Sequence, residues 1–245
     1  MSHQDLAVLI VSGGMDSCVL AHYYAAADFN LHLLSFNYGQ KHLRELTYAE
    51  RYIQDLRERY STGPRALSIH HDVIELPISR LLADSDSALI NPSLKMPYGH
   101  YSDDSMKATV VPYRNPNMLL QAATLAWGEN ARLVAYAAHQ GDHAQYPDCR
   151  KVFVDAFNSL LTVSMNSEKL RVESPFMFLT KAQIARLGAN LHVPFELTWS
   201  CYEGGQQGYG DKHCGLCGTC YERREAFELA GVPDPTEYAS PAPWS

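Results

Sequence analysis

Apolar residues in this chain gather in short continuous runs, separated by stretches whose apolar positions recur every three or four residues. Leu6 to Val11 is unbroken and rich in branched side chains, the pattern of a strand buried on both faces. Asp16 to Ala27 predicts a helix. Leu31 to Asn37 predicts a second strand, and His42 to Tyr60 a helix whose polar face carries both signs of charge. Ala66 to Glu75 alternates as a third strand. The segment from 77 to 113 is rich in turn formers and has no sustained period; a loop of this length in a compact domain is expected to be functional or mobile. Regular patterning resumes at "RNPNMLLQAATLAWGE", a helix with Pro116 in its first turn after Asn115. Arg132 to Ala138 predicts another buried strand. Asp148 to Val163 predicts a helix with Phe153, Phe157, Leu160 and Leu161 on one stripe. Residues 170 to 176 predict a short strand. Thr180 is placed to cap the helix "KAQIARLGANLH", which holds Gly188 at some cost in propensity. Strands alternating with helices imply an α/β, Rossmann-like fold: a five-stranded parallel sheet with helices on both faces. There is no internal repeat.

Composition narrows the class. The 245 residues are 46% hydrophobic, enough for one large α/β domain with a small appendage. The formal net charge of -7 disfavours a sequence-blind grip on nucleic acid and favours small-molecule partners. No apolar run approaches the length of a membrane span. "MSHQDLAVLI" has neither the basic region nor the cleavage site of a signal peptide. Of the six cysteines, Cys201, Cys214, Cys217 and Cys220 lie close together. In a chain of this size with no sign of export, clustered thiols point to a reducing cytoplasm and to metal ligation.

Two motifs carry the chemistry. "SGGMDS", Ser12 to Ser17, follows the first strand and opens a helix, where the backbone can approach an anion and the helix dipole favours it. No lysine follows the glycines, so it is not a Walker A loop, and it is not a dinucleotide fingerprint. It matches the pyrophosphate loop of the PP-loop ATP pyrophosphatases, which cleave ATP between the α and β phosphates. Cys18, just after it, reads as a small buried helix residue. Near the C-terminus the cysteines are spaced C-x12-C-x2-C-x2-C, which suits a closed tetrahedral zinc site. An iron–sulfur cluster and a redox C-x-x-C pair use similar spacings, and His213 beside Cys214 is a possible replacement ligand. The spacing predicts a catalytic domain over 1–197 and a zinc-binding loop–helix module over 198–245.

Read together, "SGGMDS", "VVPYRN", "YPDCR", "TKAQIARLG", "TWSCY" and "CGLCGTCYERREAF" occur in the order found in the 7-cyano-7-deazaguanine synthase family, which the chain resembles from about residue 6 to about residue 235. Many members have glycine or asparagine where Tyr113 stands here. The resemblance implies the HUP, adenine nucleotide α-hydrolase-like form of the fold and a homodimer. It implies that 7-carboxy-7-deazaguanine is activated by ATP, converted by ammonia to the amide, and activated again for dehydration to the nitrile. A carboxylate is a poor electrophile and an amide oxygen a poor leaving group, so one activating site can serve twice. Zn²⁺ would be structural, and ATP would act with Mg²⁺.

Residue roles follow from the same resemblance and from local chemistry. Ile10, Val11, Ser12, Gly13, Gly14, Met15, Asp16, Ser17 and Phe36 are expected to bind ATP, with Asp16 also a candidate for Mg²⁺ or for pairing with the helix dipole. Phe36 and Tyr38 are placed to flank adenine. Lys181 is a cation at a helix start, an unfavourable place that asks for a reason; stabilising charge at the α-phosphate would supply one. Arg114 opens a helix in the same way and suits phosphate or the substrate carboxylate. Asp148 matches the N1–H and exocyclic amine of a guanine-like ring, or caps the following helix. Tyr146 is expected on the ring, and His139, near Asp142 and His143, on an oxygen or a proton. Arg150 reads as a surface residue. The competing readings are an amide-forming or conjugating relative, a tRNA-modifying PP-loop enzyme, and a zinc-stabilised nucleotide-binding module without turnover.

Overall fold

The computed structural model describes residues 4–63, 66–99, 107–143, 146–203 and 209–241. Five strands form one sheet: β1 Leu6–Ile10, β2 Asn30–Asn37, β3 Ile69–Glu75, β4 Leu133–Ala135 and β5 Arg171–Glu173. Their order is β3-β2-β1-β4-β5 and every pairing is parallel. The order reverses between β1 and β4, so their carboxyl ends border the crevice where open α/β sheets bind ligands. The helices are α1 Met15–Ala26, α2 Arg44–Tyr60, α3 Ile78–Leu81, α4 Arg114–Gly128, α5 Lys151–Met165, α6 Lys181–Asn190 and α7 Gly218–Ala230.

The unbroken apolar run of β1 is needed because both of its faces are covered. Ala7, Leu9 and Val11 pack with residues of α1, α2 and α6, while Val8 packs with α4 and α5. Two cores thus sandwich the sheet. The four clustered cysteines belong to the α4–α5 core, and Phe227 of α7 belongs to the other. On the α1 side Tyr52 donates to the Cys18 carbonyl at 2.6 Å, with His22 Nδ1 2.5 Å from the same phenol. Cys18 is buried as expected.

Several local expectations are corrected. The fifth strand spans three residues, because the chain turns at once through Ser174–Met177 and Phe176–Leu179. The helix expected from Asp148 begins at Lys151. Pro147–Cys149 forms a separate 3₁₀ turn and Arg150 is extended, so Asp148 does not cap α5. On α5 the inward side chains are Val154, Phe157 and Leu161; Leu160 faces solvent, 53% exposed. The segment from 77 to 113 includes α3 and buries Ala88, Leu89, Ile90 and Met96 against the α4–α5 core; its residues 100–106 lie outside the described residues. Tyr113 caps α4 at φ +57°, a left-handed conformation that glycine and asparagine adopt with less strain.

Two features position α6. Thr180 and Gln183 form a reciprocal capping box at its start. Gly188 lets it touch α1: a Cβ there would lie 2.6 Å from Val19 Cγ2 and 2.6 Å from Phe195 Cζ. Contact outweighs the propensity cost of a glycine in the helix.

Candidate functional site

The Ser12–Ser17 loop is held in shape by its own hydroxyls. Ser17 Oγ donates to the Gly14 carbonyl at 3.0 Å and accepts from Ser12 N–H at 3.2 Å, while Ser12 Oγ accepts from Gly14 N–H. Gly13 sits at φ +89°, and a Cβ there would lie 2.4 Å from the Glu45 carbonyl oxygen and 2.8 Å from Ala49 N. Only glycine fits against α2 here. Gly14 is the N-cap of α1 with no side-chain capping bond, so the first-turn amides and the positive helix end are presented to whatever occupies the loop.

The loop opens into a cleft of about 260 Å³ at the carboxyl ends of β1, β2 and β4. Of the residues singled out in the sequence, Ile10, Val11, Ser12, Gly14, Asp16, Ser17, Phe36, Tyr38, Arg114, His139, Asp142, Tyr146 and Lys181 line it. Gly13 and Met15 do not. Gly13 turns toward α2, and Met15, 1% exposed, is core. Asp148 does not reach the cleft either: it lines an adjoining cavity, which shares Arg114 and Tyr146 with the cleft. Arg150 is exposed, and the His143 side chain lies outside the described residues.

Lys181 has the reason its position requires. Its ammonium lies 3.1 Å from Glu222 and 3.5 Å from Asp16 across the cleft floor. Burial alone would lower its pKa, but the carboxylates of Asp16, Glu222 and Asp142 outweigh burial and hold it above the ordinary lysine value. His139 Nδ1 accepts from Gly141 N–H at 3.1 Å, which leaves the Nε2 proton facing Asp142 at 3.7 Å and Asp16 at 3.8 Å. Burial raises the Asp142 pKa despite the neighbouring His139. Arg114 lies over the Tyr38 ring, 5.7 Å from its centroid.

Among the further residues that line the cleft are Glu222, His42, Glu45 and Tyr202. His42 is 3.4 Å from Glu45 and stacks on Tyr202 with ring centroids 4.6 Å apart. Gln40 donates to Glu45 at 3.2 Å. For His42 the signal was the polar run "YGQKH" directly after β2, since residues at that edge of a parallel sheet face the ligand crevice. Glu222 had no such signal, because α7 reaches the cleft only through the fold.

Cys201, Cys214, Cys217 and Cys220 are buried, and their sulfurs all lie within 4.8 Å of one another. Individual separations are 3.9 Å for Cys201–Cys217, 3.9 Å for Cys214–Cys220 and 3.5 Å for Cys217–Cys220. Metal–sulfur bonds of about 2.3 Å in a tetrahedron put the sulfurs about 3.8 Å apart, so the donor set fits one thiophilic ion. Backbone N–H groups of Leu216 and Cys217 point at Cys214 Sγ, each at 3.3 Å, as thiolates require. His213 is not among the ligands: its Nε2 accepts from Ser200 N–H at 3.0 Å and its ring stacks on Trp199.

A short strap joins the two sites. Trp199 N–H donates to the Gly13 carbonyl at 2.8 Å, and two residues later the strap supplies Cys201. Arg223, fully buried on α7, donates to Thr198 Oγ1 at 2.8 Å, Ser200 Oγ at 3.2 Å and the Phe195 carbonyl at 3.0 Å. Its Nε pairs with Asp234 at 3.3 Å.

The sequence profile described as "Queuosine biosynthesis protein QueC" matches residues 6–231. The 7-cyano-7-deazaguanine synthase of Rhizobium meliloti is 44% identical over 97% of this chain and 93% of that protein. The 7-cyano-7-deazaguanine synthase of Brucella canis is 41% identical over 97% of this chain and 95% of that one. NMN synthetase from Francisella tularensis superposes with a TM-score of 0.48 at 18% identity, over 94% of this chain and 79% of that chain. With its phosphate loop, its four-thiol site and a profile match over nearly its whole length, the chain belongs to the QueC family of queuosine biosynthesis proteins.

Proposed function

We propose that this chain is a 7-cyano-7-deazaguanine synthase, a ligase that converts 7-carboxy-7-deazaguanine and ammonia to the nitrile at the expense of ATP. One observation carries the reading at the site: Lys181 is brought to the "SGGMDS" loop, 3.5 Å from Asp16, in a cleft that Arg114 also lines. A diphosphate leaving group and an acyl oxyanion are the charges such a cleft complements.

In this reading the loop amides and hydroxyls of Ser12 to Ser17 hold the pyrophosphate portion of ATP, Gly13 and Met15 contributing backbone only. Ile10, Val11 and Phe36 form the nucleotide's apolar wall. Lys181 stabilises charge at the α-phosphate as the carboxylate displaces pyrophosphate. Arg114 orients that carboxylate, and Tyr146, Asp148 and His139 are the remaining substrate contacts. Ammonia displaces AMP to give the amide; the amide oxygen then attacks a second ATP, and loss of AMP leaves the nitrile. The Nε2 proton of His139, facing two carboxylates, can be relayed as N–H protons leave. Asp16 Oδ1 is buried with no hydrogen-bond partner among the described residues, which suits a Mg²⁺ ion that would share the pyrophosphate charge. The four cysteines would hold Zn²⁺ as a closed structural site ordering the 198–245 module, of which 204–208 and 242–245 lie outside the described residues.

A homodimer has an apolar surface available on α5, where Leu160 and Val163 are exposed. A cytoplasmic location is supported by six free cysteines. No described helix is long and apolar enough to cross a membrane. The purified protein, given ATP, ammonia and the carboxylic acid, is expected to release AMP and pyrophosphate and to yield the nitrile by mass. Release of ADP and orthophosphate, or accumulation of amide alone, would overturn the reading.

A further inference from the structure

The cavity beside the cleft, about 490 Å³, differs from it in kind. Its walls are mostly apolar: Val111 and Pro112 from the segment before α4, and Val152, Phe153 and Ala156 from the first turns of α5. One acid lines it, Asp148 on the Pro147–Cys149 turn. Arg114 and Tyr146 line both spaces and therefore stand at the join.

A 7-deazaguanine makes matching demands. Its bicyclic faces are flat and apolar. Its N1–H and 2-amino group are adjacent donors that one carboxylate accepts together. Its 7-substituent sits on the other ring, away from that edge. Asp148 is half-buried, and burial raises its pKa against the pull of Arg114 and of the hydrogen bonds from its own backbone N–H, Asn115 and Cys149.

We propose that this cavity seats the acceptor base: the ring lies between Val111–Pro112 and the α5 residues Val152, Phe153 and Ala156, Asp148 accepts N1–H and the 2-amino group, and Arg114 meets the 7-carboxylate at the join. The inference rests on the synthase reading and adds a division of labour to it. Base and nucleotide occupy separate chambers, with only the 7-substituent entering the ATP cleft. AMP and pyrophosphate can then leave, and a second ATP enter, while the amide remains seated. A reaction that activates the same carbon twice benefits from a base that does not have to rebind.

The test is direct binding, in the metal-replete protein with a non-hydrolysable α,β-methylene ATP analogue present. The ligands are the 7-carboxylate and its analogue lacking the 2-amino group. Wild type should prefer the 2-amino ligand by roughly 10- to 100-fold, the range that hydrogen bonds to a charged acceptor carry. Asp148→Asn should erase that preference, and Ala156→Trp should weaken both ligands more than about tenfold by filling the seat. Both variants should bind the ATP analogue as wild type does, which also reports that they fold. Glu45→Gln, which alters a carboxylate that lines the cleft and not the cavity, should retain the preference. The proposal is overturned if Asp148→Asn keeps the wild-type preference, if Glu45→Gln loses it instead, or if Ala156→Trp binds the carboxylate normally. Failure of wild type to bind the carboxylate at all would overturn the synthase reading, and this inference with it.

Discussion

The cleft and the four-cysteine site are neighbours built to opposite rules. In the cleft, charge is left in tension: Lys181 sits among three carboxylates, burial raises the Asp142 pKa, and Asp16 Oδ1 has no hydrogen-bond partner among the described residues. Around the cysteines most polar groups are answered, Arg224 Nη1 and Thr236 Oγ1 excepted. The sulfurs stand at metal-binding separations with N–H groups aimed at them, His213 is bonded, and Arg223 is bonded on every side. The cleft leaves ionised groups in mutual competition, while around the cysteines the buried cation Arg223 and the histidine His213 are hydrogen-bonded. Trp199 ties one to the other through the Gly13 carbonyl.

Metal removal should have the largest effect. Stripping the ion with a chelator is expected to lower thermal stability sharply and to abolish binding of an ATP analogue, because the strap loses its anchor. An apo protein that binds nucleotide normally would separate the two regions. Next is Arg223→Met, expected to destabilise by about 3–5 kcal/mol in denaturant unfolding, since Asp234 and the strap are left buried without their cation. It should also change the pH profile. Burial would raise the Asp234 pKa, but Arg223 and the hydrogen bonds from Tyr238 and Thr236 hold it below the ordinary carboxylate value. That pairing therefore stabilises the fold above the unfolded carboxylate pKa and is lost as pH falls through the lower folded one. The variant should show a shallower acid slope.

Lys181→Ala probes the other region. Turnover should fall about 10²- to 10³-fold while metal content stays near wild type, and the thermal midpoint should fall because Asp16 and Glu222 lose their cation. A variant that lost its metal would mean the lysine serves the scaffold. The smallest effect carries the sharpest contrast. Because burial raises its pKa, ionised Asp142 costs stability at neutral pH, and that cost disappears as pH falls into the carboxylate range. Asp142→Asn should therefore stabilise the protein at neutral pH while slowing turnover. A destabilised variant would show that the cleft is not in tension.

Much of this was legible from the chain alone. Strands covered on both faces must be continuously apolar, so β1, β2 and β4 announced themselves, and the loop after β1 could be read as an anion site. The thiol spacing gave the metal donors. Less visible was whatever depends on crossovers. Glu222 reaches the cleft from α7 and Glu45 from α2, and neither position differs locally from a solvated helix face. Arg223 looks like a surface residue in "YERREAF" yet is fully buried. At Tyr146 to Arg150 a 3₁₀ turn interrupts what reads as one helix, and that turn moves Asp148 from a cap to a cavity wall.

The missing methyl at Gly188 works as a spacer setting. A helix transmits displacement as a rigid rod, and Lys181 stands seven residues upstream, about 10 Å along the axis. The thickness permitted where α6 meets Val19 therefore fixes how far the ammonium at the other end overhangs the phosphate loop. A single added carbon at 188 would shift the reach of the lysine without touching the cleft.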